Sequence, residues 1–171
     1  MKMTKVVSIV MGSESDRSIM EKSAQILAEF GVGWEMRVLS AHRTPEEVRE
    51  FALAARERGV AVIIAGAGGA AHLPGVIAAY TTLPVIGVPI GSSPLGGWDA
   101  LLAIVQMPAG IPVATVGVNA AANAALLSVG IMAESAPGLA EKLEAYRAKR
   151  REEALAADRR AREAGREAGG S

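Results

Sequence analysis

Apolar runs alternate with amphipathic stretches along the first 133 residues of the chain. Buried strands rich in Val and Ile are predicted over residues 6–11, 34–39, 60–65, 85–88 and 113–118. Helical spacing of apolar residues predicts helices over residues 16–30, 45–58, 73–79, 98–106 and 120–133. Near-continuous apolar strands separated by helices are typical of a parallel sheet covered on both faces. The pattern therefore predicts an α/β fold, a three-layer α/β/α sandwich around a five-stranded parallel sheet.

The character of the chain changes at residue 137. Leu139, Leu143 and Tyr146 recur at helical spacing, and charged residues then dominate as far as Arg166. We expect a long, solvated C-terminal helix with one narrow apolar stripe, which could dock onto a neighbouring subunit or onto its own domain. The 171 residues suggest one domain, which we assign to residues 1–160, followed by a frayed tail over 161–171.

Composition excludes several classes of function. The 18 basic and 18 acidic residues give no net charge, so neither a nucleic acid nor a membrane is expected as a partner. The absence of cysteine excludes disulfides, thiolate metal sites and a cysteine nucleophile. No apolar run approaches the ~18 residues of a membrane span, and residues 6–11 are too short for a signal-peptide core. We therefore expect a cytoplasmic protein.

The chain has only two histidines, and each follows a predicted strand. His42 lies in residues 40–45 (SAHRTP), and His72 lies in residues 66–75 (GAGGAAHLPG). Open parallel sheets bind ligands at the carboxyl ends of their strands, and histidine is suited to proton transfer near neutral pH. Arg43 adds a planar fork for phosphate or carboxylate. The alternative is that His42 and Arg43 are ordinary surface residues before a helix start.

Two further segments could bind a nucleotide. Residues 12–16 (GSESD) offer helix N-terminal amides and serine hydroxyls to a phosphate, although plain helix capping is the favoured explanation of this segment taken alone. Residues 66–71 formally match the dinucleotide pattern G-x-G-x-x-A. They follow the third strand rather than the first, and residues 86–90 lack the acidic residue expected to hold the ribose. The glycines then indicate either a small ligand close to the backbone or tight helix–strand packing.

Four motifs occur in order along the chain. They are residues 11–16 (MGSESD), 40–45 (SAHRTP), 66–75 (GAGGAAHLPG) and 104–108 (IVQMP). With these motifs the chain resembles the class I PurE family, the N5-carboxyaminoimidazole ribonucleotide mutases of purine biosynthesis, from about residue 6 to residue 133. The resemblance implies a flavodoxin-like fold and a homo-octamer with active sites shared between subunits. It also implies carboxyl migration within a ribonucleotide, from the exocyclic nitrogen to a ring carbon, without metal, biotin or ATP.

The same resemblance implies roles for individual residues. His42 would be the general acid and base, and Ser13, Asp16 and Arg43 would hold the ribose phosphate. The backbone of residues 66–69, which includes Gly68 and Gly69, would line the pocket of the migrating carboxyl group with His72, and Ser40 would complete the substrate-binding set. Because carboxyl migration needs a proton delivered to one atom and taken from another, a single histidine can serve both steps.

The chain departs from the family pattern at three positions, and two other functions compete with the mutase. Arg17, Trp98 and Ala100 replace residues of other types that we expect there. The first competing function is the related carboxylase, which adds free CO2 to aminoimidazole ribonucleotide; Arg43 disfavours it, because lysine is expected after the histidine in that class. The second is a non-catalytic nucleotide-binding module, which would tolerate the loss of His42.

Overall fold

A parallel five-stranded sheet with strand order β2-β1-β3-β4-β5 forms the centre of the computed structural model, which describes residues 5–169. The strands are β1 (Val6–Met11), β2 (Gly33–Val38), β3 (Val60–Gly68), β4 (Val85–Ile90) and β5 (Ala114–Thr115). The helices are α1 (Arg17–Glu29), α2 (Pro45–Ala54), α3 (Leu73–Tyr80), α4 (Trp98–Val105), α5 (Ala121–Ala133) and α6 (Pro137–Gly169). This flavodoxin-like arrangement confirms the predicted fold class.

Helices cover both faces of the sheet. Helices α2, α3 and α4 pack on one face around Phe51, Ile77 and Ile104. Helices α1 and α5 pack on the other face around Met20 and Val129, and the start of α6 lies against them. Burial of Val, Ile and Ala from both faces of β1, β3 and β4 supplies much of the apolar core that stabilises the fold.

The order of the strands brings together the loops that carry the predicted site residues. In a parallel sheet all carboxyl ends lie at one edge, and the order reverses direction between β1 and β3, which run side by side to Met11 and Gly66. A crevice at such a reversal is where doubly wound sheets bind ligands. The loops after β1, β2, β3 and β4 all leave the sheet at this edge.

The two edge strands differ most from their predictions. Strand β2 is not buried: it is an edge strand, and Trp34 and Val38 are exposed in the single chain. Strand β5 is only two residues long, since it pairs with β4 only at Ala114 and Thr115. Both errors have one cause, because the position of a strand within the sheet depends on strand order and is not encoded in its own apolar pattern.

Strand β3 is three residues longer than predicted and ends at Gly68. Its last residues pair with both neighbours, Gly66 with Met11 and Gly68 with Ile90. The first two glycines of the glycine-rich segment are therefore strand residues. An added Cβ at Gly66 would overlap the Met20 side chain, so this glycine serves close packing of α1 on the sheet.

Helix α6 docks through its first turns and then extends away from the domain. Its residues Leu139, Leu143 and Tyr146 pack on the α1–α5 face, and Lys142 Nζ donates a hydrogen bond of 2.8 Å to the Phe30 carbonyl. The helix continues to Gly169, where a frayed tail was expected from residue 161, because Ala, Arg and Glu are strong helix formers. Residues 170–171 of that predicted tail lie outside the described residues, and the domain division stays a prediction. Within residues 5–169, no helix is long and apolar enough to cross a membrane.

Candidate active site

A cavity of about 370 Å³ lies at the carboxyl edge of the sheet, where the loops after β1, β2, β3 and β4 meet. Polar or small residues form most of its wall. The lining residues are Gly12, Ser13, Ser15, Asp16, Ser40, Ala41, His42, Arg43, Ala67, Gly68, Ala71, His72, Leu73 and Ser92. The cavity brings both histidines together with all three predicted phosphate and ribose ligands.

The turn after β1 combines hydroxyls with one buried carboxylate. Ser13 caps the short 3-10 turn over residues 14–16, and its Oγ accepts hydrogen bonds from the Ser15 amide at 3.3 Å and the Ser15 hydroxyl at 2.9 Å. Asp16 is buried, and burial raises the pKa of its carboxyl, partly offset by hydrogen bonds from the Ser15 side chain and the Ser13 backbone. The turn therefore presents a hydroxyl pair beside a carboxylate that binds protons more readily than an exposed aspartate.

Hydrogen bonds within the loop after β2 fix the position of Arg43. Thr44 closes the loop, since its Oγ1 accepts from the Ser40 amide at 2.9 Å and its backbone amide donates to the Ser40 carbonyl at 2.9 Å. Arg43 Nη2 donates to the Gly12 carbonyl at 2.9 Å, and Arg43 Nε donates to Ser40 Oγ at 3.3 Å. These bonds join the loops after β1 and β2 and leave other guanidinium N–H groups for an anion.

The two histidines contact each other. His42 Nε2 and His72 Nδ1 are 2.7 Å apart, and the rings meet edge to face with centroids 4.9 Å apart. One proton lies between the two nitrogens, so one ring donates and the other accepts. Because a second proton on this contact would place two N–H groups head to head, the pair carries at most one imidazolium while it stays hydrogen-bonded.

The opposite wall of the cavity is built from glycine and serine. A Cβ added to Gly68 would stand 2.5 Å from Ser92 Oγ and 3.2 Å from the Ile90 carbonyl, so only glycine fits between β3 and the loop after β4. Ala71 closes the turn after β3 with φ of +31° and donates a backbone hydrogen bond of 3.1 Å to the Gly68 carbonyl. This turn carries His72 back toward His42.

The structure groups seven of the eight predicted site residues around the cavity. They are Ser13, Asp16, Ser40, His42, Arg43, Gly68 and His72. The eighth, Gly69, takes φ of +59° in the turn and does not belong to the lining residues. Ser92 was missed, although its position directly after an apolar strand is the signal that identified the other loops. The roles assigned to these residues stay predictions.

A larger cavity of about 760 Å³ lies at the opposite edge of the sheet, among residues that include Leu53, Tyr80 and Pro84. Its Arg56 guanidinium is already bound to Thr82 Oγ1 at 2.8 Å. Both histidines lie at the smaller cavity, so chemistry is more readily carried out there. Among residues 5–169, no three His, Asp or Glu side chains are grouped closely enough to hold a metal ion.

Comparisons with known proteins agree with this geometry. The family model described as AIR carboxylase matches residues 6–153. Among curated relatives, the N5-carboxyaminoimidazole ribonucleotide mutase of Pyrococcus abyssi is 60% identical over 141 residues, which cover 82% of this chain and 81% of the relative. The protein of the same name from Thermotoga maritima is 52% identical over 149 residues, covering 87% of each chain.

A solved structure shows the same fold. The crystal structure of Treponema denticola PurE superposes with a TM-score of 0.82 at 29% sequence identity, over 91% of this chain and 98% of that one. The likeness therefore covers the sheet, the loops at its carboxyl edge and most of the helices.

Proposed function

Because the chain belongs to the AIR carboxylase family, we propose that it is an N5-carboxyaminoimidazole ribonucleotide mutase, an ATP-independent isomerase of purine biosynthesis. The observation that carries the proposal is the hydrogen-bonded pair of His42 and His72 in a cavity built from nucleotide-binding loops. Two relatives that carry this mutase name share more than half of their aligned residues with the chain.

The substrate is a ribonucleotide, and the cavity offers a group for each of its parts. The Ser13 and Ser15 hydroxyls, with the Arg43 guanidinium, bind the phosphate, which the fork geometry of arginine suits. The buried Asp16 carboxylate accepts hydrogen bonds from the ribose. The glycine wall at Gly68 receives the carboxyl end, where a side chain would exclude it.

The chemistry requires one proton and returns it. The carbon–nitrogen bond of the carbamate breaks, CO2 leaves, and the exocyclic nitrogen takes a proton from His42. The ring carbon then attacks CO2 to form the carbon–carbon bond, and its own proton returns to His42. The reaction is therefore an isomerisation in which atoms and charge balance without a cofactor, consistent with the expectation of none.

His72 makes this exchange easier. His42 Nε2 shares a proton with His72 Nδ1. The loss of a proton from the other ring nitrogen of His42, Nδ1, is therefore compensated at Nε2. The hydrogen-bonded pair can therefore give up a proton and take it back at one place in the site, as general acid–base catalysis requires.

The protein acts as a homo-oligomer, which we propose to be an octamer. His42 and His72 are both exposed in the single chain, although CO2 recapture requires a site sheltered from water. Helix α4 also presents an unpaired apolar stripe, in which Trp98 is 68% exposed and Leu102 and Val105 are about half exposed. A neighbouring copy of the chain would cover both features. The proposal places this assembly in the cytoplasm.

A mixing experiment tests the function directly. Purified protein is incubated with N5-carboxyaminoimidazole ribonucleotide, without ATP and with CO2 scavenged, and the carbon-carboxylated product is followed against a blank without enzyme. Product formation above the blank is the expected result.

The other outcomes identify the competing functions. Product only from aminoimidazole ribonucleotide with bicarbonate would replace the mutase with the carboxylase. No product in either mixture would leave a nucleotide-binding module, which equilibrium binding of the ribonucleotide would then detect.

A further inference from the structure

The carboxyl end of β4 is held by an asparagine that lies outside the cavity. Strand β5 pairs with β4 only at Ile86–Ala114 and Gly87–Thr115, and beyond that point Val116 N donates to the Gly87 carbonyl at 3.1 Å. The next regular donor on β4 would be Pro89, which has no N–H. The pairing therefore has to be completed by another means if the end of β4 is to stay in place.

Asn119 completes it with both its backbone and its side chain. Its backbone N donates to the Pro89 carbonyl at 2.8 Å, and its side-chain Oδ1 accepts from the Gly91 amide at 2.9 Å. From Val116 to Asn119 the chain advances three residues, while the partner carbonyls on β4, those of Gly87 and Pro89, are two residues apart. The amide oxygen thus occupies the place that a backbone carbonyl would have in a regular parallel ladder.

The backbone of Asn119 explains why this residue type stands there. Its φ of +58° lies in the left-handed region, which asparagine tolerates better than most residues. The chain can therefore turn away from the sheet at Asn119 while the side chain still reaches Gly91. Packing around Gly91 is close as well, since an added Cβ would lie 3.1 Å from Val118 Cγ1 and 3.2 Å from Asn119 Nδ2.

The residue after Gly91 is Ser92, which lies against the glycine wall of the cavity. Ser92 Oγ stands 2.5 Å from the position a Cβ on Gly68 would take. The further part of this loop is tied separately to α4, through the 2.8 Å hydrogen bond from Ser93 Oγ to Asp99 Oδ1. The position of Ser92 therefore depends on the Gly91 amide and its bond to Asn119.

We propose that Asn119 is a positioning residue of the mutase, which acts through Gly91 to hold the Ser92 hydroxyl over Gly68 at the carboxyl end of the substrate. The inference rests on the proposed function for its consequence in catalysis. Asn119 is not among the residues that line the cavity, and its hydrogen bonds go to Pro89 and Gly91, so its effect is expected to fall on kcat. The KM, which depends on the phosphate and ribose contacts of the β1 and β2 loops, changes little.

Three variants test the proposal. Asn119→Gly keeps the left-handed backbone and removes the acceptor, and a displacement of about 1 Å at the reacting end is expected to lower kcat about 10- to 100-fold. Asn119→Asp keeps an acceptor oxygen and is expected to retain most of the wild-type kcat. The double variant Asn119→Gly/Ser92→Ala is expected to be no slower than Ser92→Ala alone, because both changes remove the same interaction.

Ser93→Ala serves as the matched control, since it loosens the same loop at its α4 end. Its effect is expected to add to that of Asn119→Gly. Wild-type kcat in Asn119→Gly, additive losses with Ser92→Ala, or a folded but inactive Asn119→Asp would each overturn the proposal. If Asn119→Gly fails to fold, the Asn119→Asp result decides alone.

Hydrogen–deuterium exchange separates this inference from the proposed function. In Asn119→Gly, peptides that contain the Gly91 amide are expected to exchange faster, with unchanged exchange in Asn119→Asp. Absence of mutase activity in the wild type would refute the proposed function and leave this readout intact. Unchanged exchange around Gly91 in Asn119→Gly would refute the positioning role whatever the activity.

Discussion

At the scale of single residues, the 2.7 Å contact between His42 and His72 makes the strongest prediction. His42→Asn removes the titrating group while an amide of similar size keeps hydrogen-bonding capacity. Because general acid–base catalysis contributes roughly 10²- to 10⁴-fold to rates, we expect kcat to fall at least ~10²-fold. Steady-state turnover of N5-carboxyaminoimidazole ribonucleotide measures the loss.

Two controls belong to this variant. Glu46→Gln changes an exposed residue in the first turn of α2, close to the same loop, and should keep wild-type turnover. His42→Asn should also still bind the ribonucleotide, because the proposed phosphate contacts are made by other residues. Near-normal turnover by His42→Asn would rule out its role as acid and base.

The raised pKa of the buried Asp16 carboxyl leads us to expect that KM depends on pH. Burial raises the pKa of its carboxyl, so as the pH falls Asp16 becomes protonated earlier than an ordinary aspartate would. Protonation removes the carboxylate acceptor proposed for the ribose hydroxyls, so KM is expected to increase as the pH falls, beginning at a higher pH than an exposed aspartate would give. In Asp16→Asn the KM should be about 10- to 100-fold higher, for the loss of a hydrogen bond to a charged group.

The pH series is measured as the ratio of KM values between Asp16→Asn and the wild type. The second ionisation of the substrate phosphate, near pH 6, affects both proteins alike and cancels in the ratio. The ratio should be largest at neutral pH and shrink as the pH falls. A ratio that stays constant across the pH range would show that the ionisation of Asp16 does not contribute to binding.

Substitution of Gly68 is expected to uncouple the two half-reactions, the release of CO2 and its recapture. In Gly68→Ala the new methyl group would meet Ser92 Oγ at 2.5 Å and the Ile90 carbonyl at 3.2 Å, so the Ser92 side chain or the wall around it must move. CO2 released in the first half-reaction is then recaptured less often, and free aminoimidazole ribonucleotide is expected in solution. The ratio of this product to the carboxylated one is the measurement.

Gly138→Ala provides the control for that substitution, because a Cβ at Gly138 meets nothing within 4 Å and the residue lies in the first turn of α6. It should leave the product ratio unchanged. Complete coupling in a folded Gly68→Ala would contradict a glycine-walled pocket for CO2.

At the scale of elements, α6 depends on its first turns. The Tyr146 ring packs against Phe30 with centroids 5.6 Å apart, and Lys142 caps the Phe30 carbonyl. Tyr146→Ala removes this aromatic contact and the area it buries, which should lower the free energy of unfolding by about 1–3 kcal/mol. Thermal unfolding should show a lower Tm, whereas Arg151→Ala, at an exposed ion pair, should change it little.

The apolar pattern predicted the central strands because a strand with a neighbour on each side and helices on both faces is buried along its whole length. Strand β1 has the predicted bounds, and α3 differs by one residue at its end. The pattern failed for β2 and β5, since an edge strand differs from a central one only through its neighbours. Helical spacing of apolar residues predicted α6 but not its end, because the residues near Gly169 extend the helix through their helix propensity rather than through an apolar stripe.

The same distinction applies to the site. His42, His72 and Arg43 could be predicted because their chemistry shows in the sequence and because parallel strands place their loops at one edge. Ser92 was missed although it lies directly after an apolar strand. Asn119 could not be predicted, since its importance arises from packing between the ends of β4 and β5, and its contact with Gly91 joins segments almost thirty residues apart.

At the scale of the whole molecule, the exposed site leads us to expect that activity depends on assembly. Trp98, Leu102 and Val105 form one stripe on α4, at a spacing that places them on the same side of the helix, and Trp98 is 68% exposed in the single chain. Apolar patches of this kind mark interaction surfaces. We expect the native mass to be a multiple of the 17.6 kDa chain, eightfold for the proposed octamer.

Leu102→Glu places a charge in the middle of the stripe, where burial of an unpaired carboxylate would be costly. The native mass measured by light scattering is expected to fall, and mutase turnover should fall with it, because His42 and His72 then face water. Lys22→Ala, on the exposed side of α1, should change neither quantity. A Leu102→Glu protein that dissociates yet keeps wild-type turnover would show that each subunit holds a complete and sheltered site. A decrease in both the native mass and the mutase turnover would instead show that catalysis depends on the subunit interface.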